Sequence, residues 1–173
     1  DCTATARHDV DVRGGRGGWG VKAASEEVTL LDFLLMQAEH ARFGTSWCSR
    51  LLLLGAAGLL RGYRATTHWQ SLELLRPFGA EPVAQRVVHD RNRVTGAGVT
   101  SGIDFALVIA VELFGEIVAQ QIQLAIEYAP DPPFHTGSPY TAPESVRRTV
   151  AGAAEISLAD RRAIIESITQ RGF

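Results

Sequence analysis

The run Leu51–Leu60 contains no polar side chain over ten residues. A helix built from this run has no polar face to present to water, so it must be buried on every side. The run is also much shorter than the ~20 residues that a membrane-spanning helix needs. We therefore expect a helix enclosed by other layers of the protein, ending near Gly58 or Gly62 because glycine commonly closes a helix.

Short β-prone segments alternate with helical segments along the rest of the chain. This alternation predicts an α/β protein, a layered sandwich with helices on both faces of a mostly parallel sheet. Strands are predicted at His8–Val12, Arg42–Trp47, Arg64–Thr67 and, as a hairpin, Arg86–Val88 with Arg93–Gly96. Besides Leu51–Leu60, helices are predicted at Glu26–Ala41, Trp69–Arg76, Ser101–Phe114 and Glu116–Glu127. A capping box of Ser101 and Asp104 opens the helix Ser101–Phe114.

Composition sets the class of protein and its surroundings. Hydrophobic residues make up 46% and charged residues 21%, and the net charge is −2. Such a balance is typical of one globular domain, here 1–173, and it argues against nucleic-acid or membrane partners. A proline-rich loop is predicted over 129–143, followed by C-terminal helices over 144–173. Two cysteines and no signal sequence in Asp1–Val12 predict a cytoplasmic location.

A glycine-rich loop, Gly15–Gly20, has the spacing G-x-G-x-x-G after a predicted strand. That spacing is typical of a dinucleotide-binding site, which also requires an acidic residue at the end of the second strand. The second strand ends in Trp47-Cys48, where no acid is found. A single Arg-Gly-Gly segment is also weak support for RNA binding. The remaining interpretation is a tight turn between strand and helix.

Cys48 lies between a short strand and the buried helix, the arrangement called a nucleophile elbow. A thiol at a helix start is close to the positive end of the helix dipole and to unpaired backbone N–H groups, and both favour the reactive thiolate. The N–H groups of Gly14 and Gly15, at a neighbouring strand end, could stabilise a developing negative charge. The alternative is a buried structural cysteine, which is common in α/β cores.

His68 follows the strand predicted at Arg64–Thr67. Because ends of adjacent parallel strands share one edge of the sheet, His68 is a candidate general acid, base or orienting residue for Cys48. The alternative is a packed or capping histidine. The other four histidines show no metal-ligand spacing, so we expect no zinc site.

Several stretches together resemble the DJ-1/PfpI (ThiJ) superfamily. They are Thr45–Cys48, Leu54–Gly62 and Arg64–Trp69. Two further stretches, Val94–Phe105 and Glu127–Phe134, are similar to one branch, the isocyanide hydratases.

The resemblance implies a flavodoxin-like α/β sandwich, a homodimer, a small-molecule substrate and no cofactor. It implies that Cys48 is the nucleophile and that Gly14, Gly15 and the helix start at Ser49 supply oxyanion contacts. Ser49 stands where the branch typically has threonine, so a hydroxyl is retained. The implied reaction adds water to an isocyanide and gives an N-substituted formamide.

The chain departs from the family pattern in three places. Arg13 replaces the proline before the glycine pair, and Arg50 replaces the glycine of the elbow. In the family, a first strand bearing an acidic partner for the cysteine precedes the glycine pair, whereas 13 residues precede Gly14 here. We therefore expect that acid to be absent from the chain, and a second copy or an N-terminal segment to cover the exposed sheet.

Two other functions fit the same superfamily. One is carbonyl chemistry of the glyoxalase or deglycase type. The other is a non-catalytic sensor or interaction domain, because the stretch Thr66–Trp69 is shared with the sensor half of AraC-type regulators. The Glu127–Phe134 stretch favours the hydratase over both.

Overall fold

The computed structural model describes residues 28–170. Its helices are α1 (Val28–His40), α2 (Leu51–Ala56), α3 (Ser101–Phe114), α4 (Glu116–Ala125), α5 (Glu144–Ala153) and α6 (Glu155–Gln170). Its strands are β1 (Gly44–Trp47), β2 (Arg64–Ala65), β3 (Glu81–Pro82), β4 (Val87–Asp90) and β5 (Arg93–Gly96). Two 3₁₀ helices, Cys48–Arg50 and Trp69–Phe78, complete the regular structure of these residues.

The strands form a three-stranded sheet in the order β1-β5-β4 and a separate parallel pair of β2 with β3. β1 runs parallel to β5, with Gly44 opposite Arg93 and Trp47 opposite Gly96. β4 and β5 form the predicted antiparallel hairpin. Its turn is Arg91-Asn92, tighter than the sequence predicted, because His89 and Asp90 extend β4. Most of the pairing is therefore parallel, as predicted.

Apolar side chains form two cores on opposite faces of β5. On one face, Val94 packs with Phe43 and with Phe105 of α3. Neighbouring strand residues point to the other face, where the larger core lies. That core combines buried residues of α1, α2, the second 3₁₀ helix and α6, including Leu34, Leu53, Leu75 and Ile165. The sheet is thus covered by helices on both faces.

The buried helix predicted from Leu51–Leu60 is confirmed. All six residues of α2 are buried, with Leu51 and Leu53 fully inaccessible. The α-helix ends earlier than predicted, at Ala56, and a turn containing Gly58 in the left-handed region (φ 72°) follows. At roughly 25 cal/mol per Å² of apolar surface removed from water, each buried leucine stabilises the fold by about 2 kcal/mol.

Three local predictions need correction. The helix predicted to stop at Pro77 is a 3₁₀ helix that includes Pro77 and ends at Gly79, which takes φ 72°. Strand β3 was missed because it has two residues and contains a proline. The capping box at Ser101 and Asp104 is wrong, because the Ser101 hydroxyl donates to the Gly98 carbonyl and the Asp104 carboxylate accepts from other side chains.

The C-terminal part agrees with the sequence. Residues 129–143 contain no helix or strand, and α5 and α6 follow them. Among the described residues, no helix is long and apolar enough to cross a membrane.

Candidate active site

The carboxyl ends of β1 and β5 meet at one edge of the sheet. Their parallel register places Trp47 opposite Gly96, the last residue of each strand. Ligands of α/β proteins bind beyond such strand ends. Cys48 follows β1 directly and begins the 3₁₀ turn that leads into α2.

The backbone of Cys48 is strained. Its φ is +57°, in the left-handed region that residues other than glycine seldom adopt. Such strain costs of order 1–3 kcal/mol and is concentrated at functional sites. The strand–cysteine–helix arrangement predicted for Cys48 is therefore present, and the side chain is partly exposed.

Thr67 holds the peptide group of Cys48. Its hydroxyl donates a hydrogen bond of 2.6 Å to the Cys48 carbonyl oxygen. Thr66 beside it donates its backbone N–H to Thr95 Oγ1 of β5 at 3.0 Å. These two hydrogen bonds join the end of β1 and β5 to the segment after β2, so the strained residue is fixed from that segment.

Gly96 is required by close approach. A Cβ atom at this position would lie 2.9 Å from Cβ of Trp47 and 3.2 Å from Oγ of Ser101. Those distances are shorter than van der Waals contact, so a side chain here would displace Trp47, the residue before Cys48.

His68 lies next to Thr67 but serves as a helix cap. Its Nδ1 accepts the backbone N–H of Gln70 at 3.4 Å, at the start of the second 3₁₀ helix. Because Nδ1 accepts, the proton of the neutral ring is on Nε2. Among the described residues, no hydrogen bond joins the His68 ring to the Cys48 thiol. The capping alternative is therefore the observed one.

Burial lowers the pKa of His68, and the positive charge of Arg161 lowers it further. Arg161, on α6, donates from Nη1 to the buried Ser71 hydroxyl at 3.0 Å. Its Nε is buried and has no hydrogen-bond partner among the described residues. His68 is consequently neutral at physiological pH.

The other predicted site residues are Ser49 and the glycine pair Gly14 and Gly15. Ser49 lies within the 3₁₀ turn after Cys48 and is half-buried. Gly14 and Gly15 lie outside the described residues. Within residues 28–170, no group of three or more His, Cys, Asp or Glu side chains is arranged to hold a metal ion.

Two clefts open near this edge of the sheet. The smaller, about 610 Å³, is lined by Thr67, His68 and Trp69 on one side and by Gly98 on the other. The larger, about 1200 Å³, includes Trp47 in its lining. Trp47, the residue before Cys48, thus lines the larger cleft, and Thr67, which donates to the Cys48 carbonyl, lines the smaller one.

A polar cluster between these clefts was missed in the sequence. Arg86 pairs with the Asp104 carboxylate, and the Tyr128 hydroxyl donates to the same carboxylate at 3.1 and 3.2 Å. These residues lie far apart in the chain and match no motif. The capping-box interpretation also assigned Asp104 to the backbone, which hid its role.

Comparison with known proteins supplies the family. The sequence profile of the DJ-1/PfpI family matches residues 4–112. The chain belongs to the DJ-1/PfpI family. The flavodoxin-like α/β class expected from the sequence is confirmed by a solved THiJ/PfpI family protein of Pseudomonas syringae, with a TM-score of 0.82 and 44% identity. That match covers 89% of this chain and 61% of the other.

Two curated proteins that are similar to this DJ-1/PfpI chain have different functions. An isonitrile hydratase of Pseudomonas putida is 53% identical over 150 residues, which is 87% of this chain and 66% of that protein. The HTH-type transcriptional regulator GbdR of Pseudomonas aeruginosa is 32% identical over 114 residues, 64% of this chain and 29% of the regulator. The chain spans 66% of the hydratase, 29% of the regulator and 61% of the Pseudomonas syringae protein.

Proposed function

We propose that this protein hydrates isocyanides to N-substituted formamides, with Cys48 as the nucleophile. The observation that carries the proposal is the strained backbone of Cys48 at the end of β1, held by the Thr67 hydroxyl. The similarity to an isonitrile hydratase over most of the chain supports this choice of reaction within a broad family.

The chemistry balances without an oxidant or reductant. The Cys48 thiolate attacks the terminal carbon of R–N≡C, and a proton is added to that carbon to give the thioimidate R–N=CH–S–Cys. Water then adds to the same carbon, its two protons are redistributed to nitrogen and solvent, and the C–S bond breaks. The products are R–NH–CHO and the free thiolate, so the net reaction consumes one water.

The neighbouring groups have separable roles in this proposal. The Ser49 hydroxyl, in the turn after Cys48, stabilises the adduct or holds the attacking water. Backbone N–H groups of Gly14 and Gly15 remain predicted oxyanion donors. Neutral His68 presents Nε2–H from the wall of the smaller cleft, where it can donate a hydrogen bond to substrate. Its role as a general acid, base or orienting residue for Cys48 stays a prediction beside the cap contact of Nδ1 with Gln70.

The test measures formamide formed from an aryl isocyanide by mass spectrometry, using the full-length protein. We expect Cys48→Ala to abolish turnover. Cys2→Ala is the matched control, since it removes the other cysteine of the chain and should leave the rate unchanged. Formation of formamide at the same rate by Cys48→Ala would overturn the nucleophile assignment, and no formamide from the folded wild type would overturn the reaction.

A sensor role is the second candidate, favoured by the similarity to a transcriptional regulator over 64% of the chain. A sensor would bind the small molecule at the same clefts and release it unchanged. Calorimetric titration with the isocyanide, combined with the product assay, separates the two roles. Binding without formamide supports the sensor.

We also propose that the protein is a homodimer, as the family resemblance implies. Helices α3 and α4 expose large apolar side chains, with Phe114 59% and Ile117 72% accessible. Exposed apolar surface of this kind commonly marks an interface. Sedimentation velocity should give twice the monomer mass, and a monomer at micromolar concentration would contradict the proposal. The cytoplasmic location stays a prediction.

A further inference from the structure

The two clefts beside Cys48 share a common wall. Residues that line both clefts are Arg86, Val99 and Thr100 from the body of the domain, and Gly137 and Ser138 from the proline-rich segment. A ligand that extends from one cleft into the other must therefore fit between this segment and Arg86.

Arg86 is fixed in that wall by two partners. Its guanidinium pairs with the carboxylate of Asp104 on α3. It also donates from Nη2 to the Thr100 carbonyl at 2.8 Å. Both partners belong to the start of α3, so the guanidinium has little freedom to swing out of the wall.

The same carboxylate holds the other side of the wall. The Tyr128 hydroxyl donates to Asp104 Oδ2 at 3.1 Å, and Tyr128 directly precedes segment 129–143. Glu127 before it takes a φ of +52°, in the left-handed region. The segment itself has no helix or strand, and its backbone hydrogen bonds, such as Thr141 N–H to Ser138 O, are local. Its position therefore depends strongly on how it is anchored at its start.

We propose that Asp104 is a positioning residue that sets the distance between Arg86 and the proline-rich segment and thereby limits the size of the substituent that reaches Cys48. The carboxylate joins two elements that are separated by more than forty residues of chain, Arg86 and Tyr128. The selected ligand class is an uncharged isocyanide with a compact substituent. Its identity rests on the proposed function, whereas the limit on access rests on the geometry.

Two variants test separately the contact of Asp104 with Arg86 and its contact with Tyr128. Asp104→Asn is isosteric, so it keeps an acceptor for Tyr128 and removes the charge that holds Arg86. Tyr128→Phe keeps the Arg86 pair and releases the segment. The matched control is Asp90→Asn, which removes another Asp–Arg pair of β4, located at the opposite end of the sheet.

The primary readout is alkylation of Cys48 by a small reagent, iodoacetamide, and a bulky one, N-phenylmaleimide. We expect the ratio of bulky to small rates to rise roughly fivefold in Asp104→Asn and Tyr128→Phe, as for the loss of one net hydrogen bond. Asp90→Asn should keep the wild-type ratio. An unchanged ratio in both folded variants would overturn the proposal, as would an equal rise in the control.

A second readout connects the wall to turnover. For methyl and naphthyl isocyanides, we expect the variants to lower KM for the larger substrate while kcat for the smaller one is retained. This outcome requires isocyanide hydration, whereas the alkylation ratio does not. A changed ratio with no turnover would therefore support the access limit and reject the proposed function, and normal turnover with an unchanged ratio and unchanged KM values would do the reverse.

Discussion

The two ends of the β1–β5 ladder use the same device for different purposes. We call them the turn end, where Gly44 faces Arg93, and the cysteine end, where Gly96 faces Trp47. At both ends a glycine makes room for a neighbour that a Cβ would meet at 2.9 Å. At the turn end that neighbour is the tip of the Arg93 side chain. At the cysteine end it is Cβ of Trp47, which cannot move without its backbone.

The polar and charged groups at the turn end have defined partners. The Arg91 and Arg93 guanidinium groups lie 3.7 and 4.9 Å from the ring centre of Tyr63. The Tyr63 hydroxyl donates to Asn92 at 2.9 Å, and the Asp90 carboxylate accepts the Arg64 N–H at 2.8 Å. The cysteine end instead has a strained φ and two open clefts. One end contributes stability, whereas the other maintains a strained conformation at Cys48 beside Thr67 and Gly96.

The largest expected effect is that of Gly96→Ala. The added methyl group overpacks against Trp47 and Ser101, so we expect a loss of about 1–3 kcal/mol in the free energy of unfolding. Gly44→Ala, the matched change at the turn end, should cost less because the Arg93 tip can shift. Urea unfolding with comparable m-values measures both. A larger cost for Gly44→Ala would break the comparison.

Thr67→Val should have the next largest effect. It removes the hydroxyl donor of the partly buried Cys48 carbonyl, which keeps the Leu51 N–H, so we expect a cost of about 1 kcal/mol and a relaxed Cys48 backbone. We expect slower alkylation of Cys48 as well as lower stability. Tyr63→Phe removes a side-chain hydrogen bond at the turn end and should leave the alkylation rate unchanged. Equal alkylation rates in the two variants would contradict a role for Thr67 at the cysteine.

Arg161→Gln should raise the pKa of His68, because it removes the second cause of the depression while burial remains. The neutral folded form stabilises the protein fully above pH about 6.5, and this contribution is lost as the pH falls from there toward the folded pKa. The variant should therefore lose this contribution to stability over a narrower pH range. NMR titration of the His68 ring measures the shift directly. Arg162→Gln, the adjacent arginine on α6, is the control that should leave the pKa unchanged.

The smallest effect is expected for Asp90→Asn at the turn end. The Arg64 N–H, together with Arg91, lowers the pKa of Asp90, so its contribution is present above pH about 4 and is lost as the pH falls further. Partly exposed ion pairs contribute only about 0.2–1 kcal/mol. Thermal melts at pH 7 and pH 3 should therefore differ slightly less in the variant. A larger difference between the melting temperatures at pH 7 and pH 3 in the variant than in the wild type would contradict this prediction.

The sequence predicted the elements that local chemistry controls. The buried helix after Cys48, the hairpin of β4 and β5, the long helix Ser101–Phe114 and the proline-rich segment are present close to their predicted bounds. Each depends on a pattern within one short stretch, an apolar run, a β-prone repeat or a cluster of prolines. The position of Cys48 between strand and helix could be predicted for the same reason.

Long-range contacts needed the tertiary structure. His68 is predicted to work with Cys48 because both follow strands, and that role stays a prediction. The structure adds that the His68 ring caps the next helix and that the Thr67 hydroxyl contacts the Cys48 carbonyl. The Arg86–Asp104–Tyr128 cluster joins three elements with no shared motif.

Sequence alone therefore predicted the family, most of the elements and the place of Cys48 between strand and helix, because side-chain pattern and backbone preference act over a few neighbouring residues. Only the folded chain decided which groups surround that residue. The parallel pairing of β1 with β5 and the crossing segment after β2 bring distant residues to one edge, and such contacts depend on the register of whole elements. That register sets the walls of the clefts at Cys48.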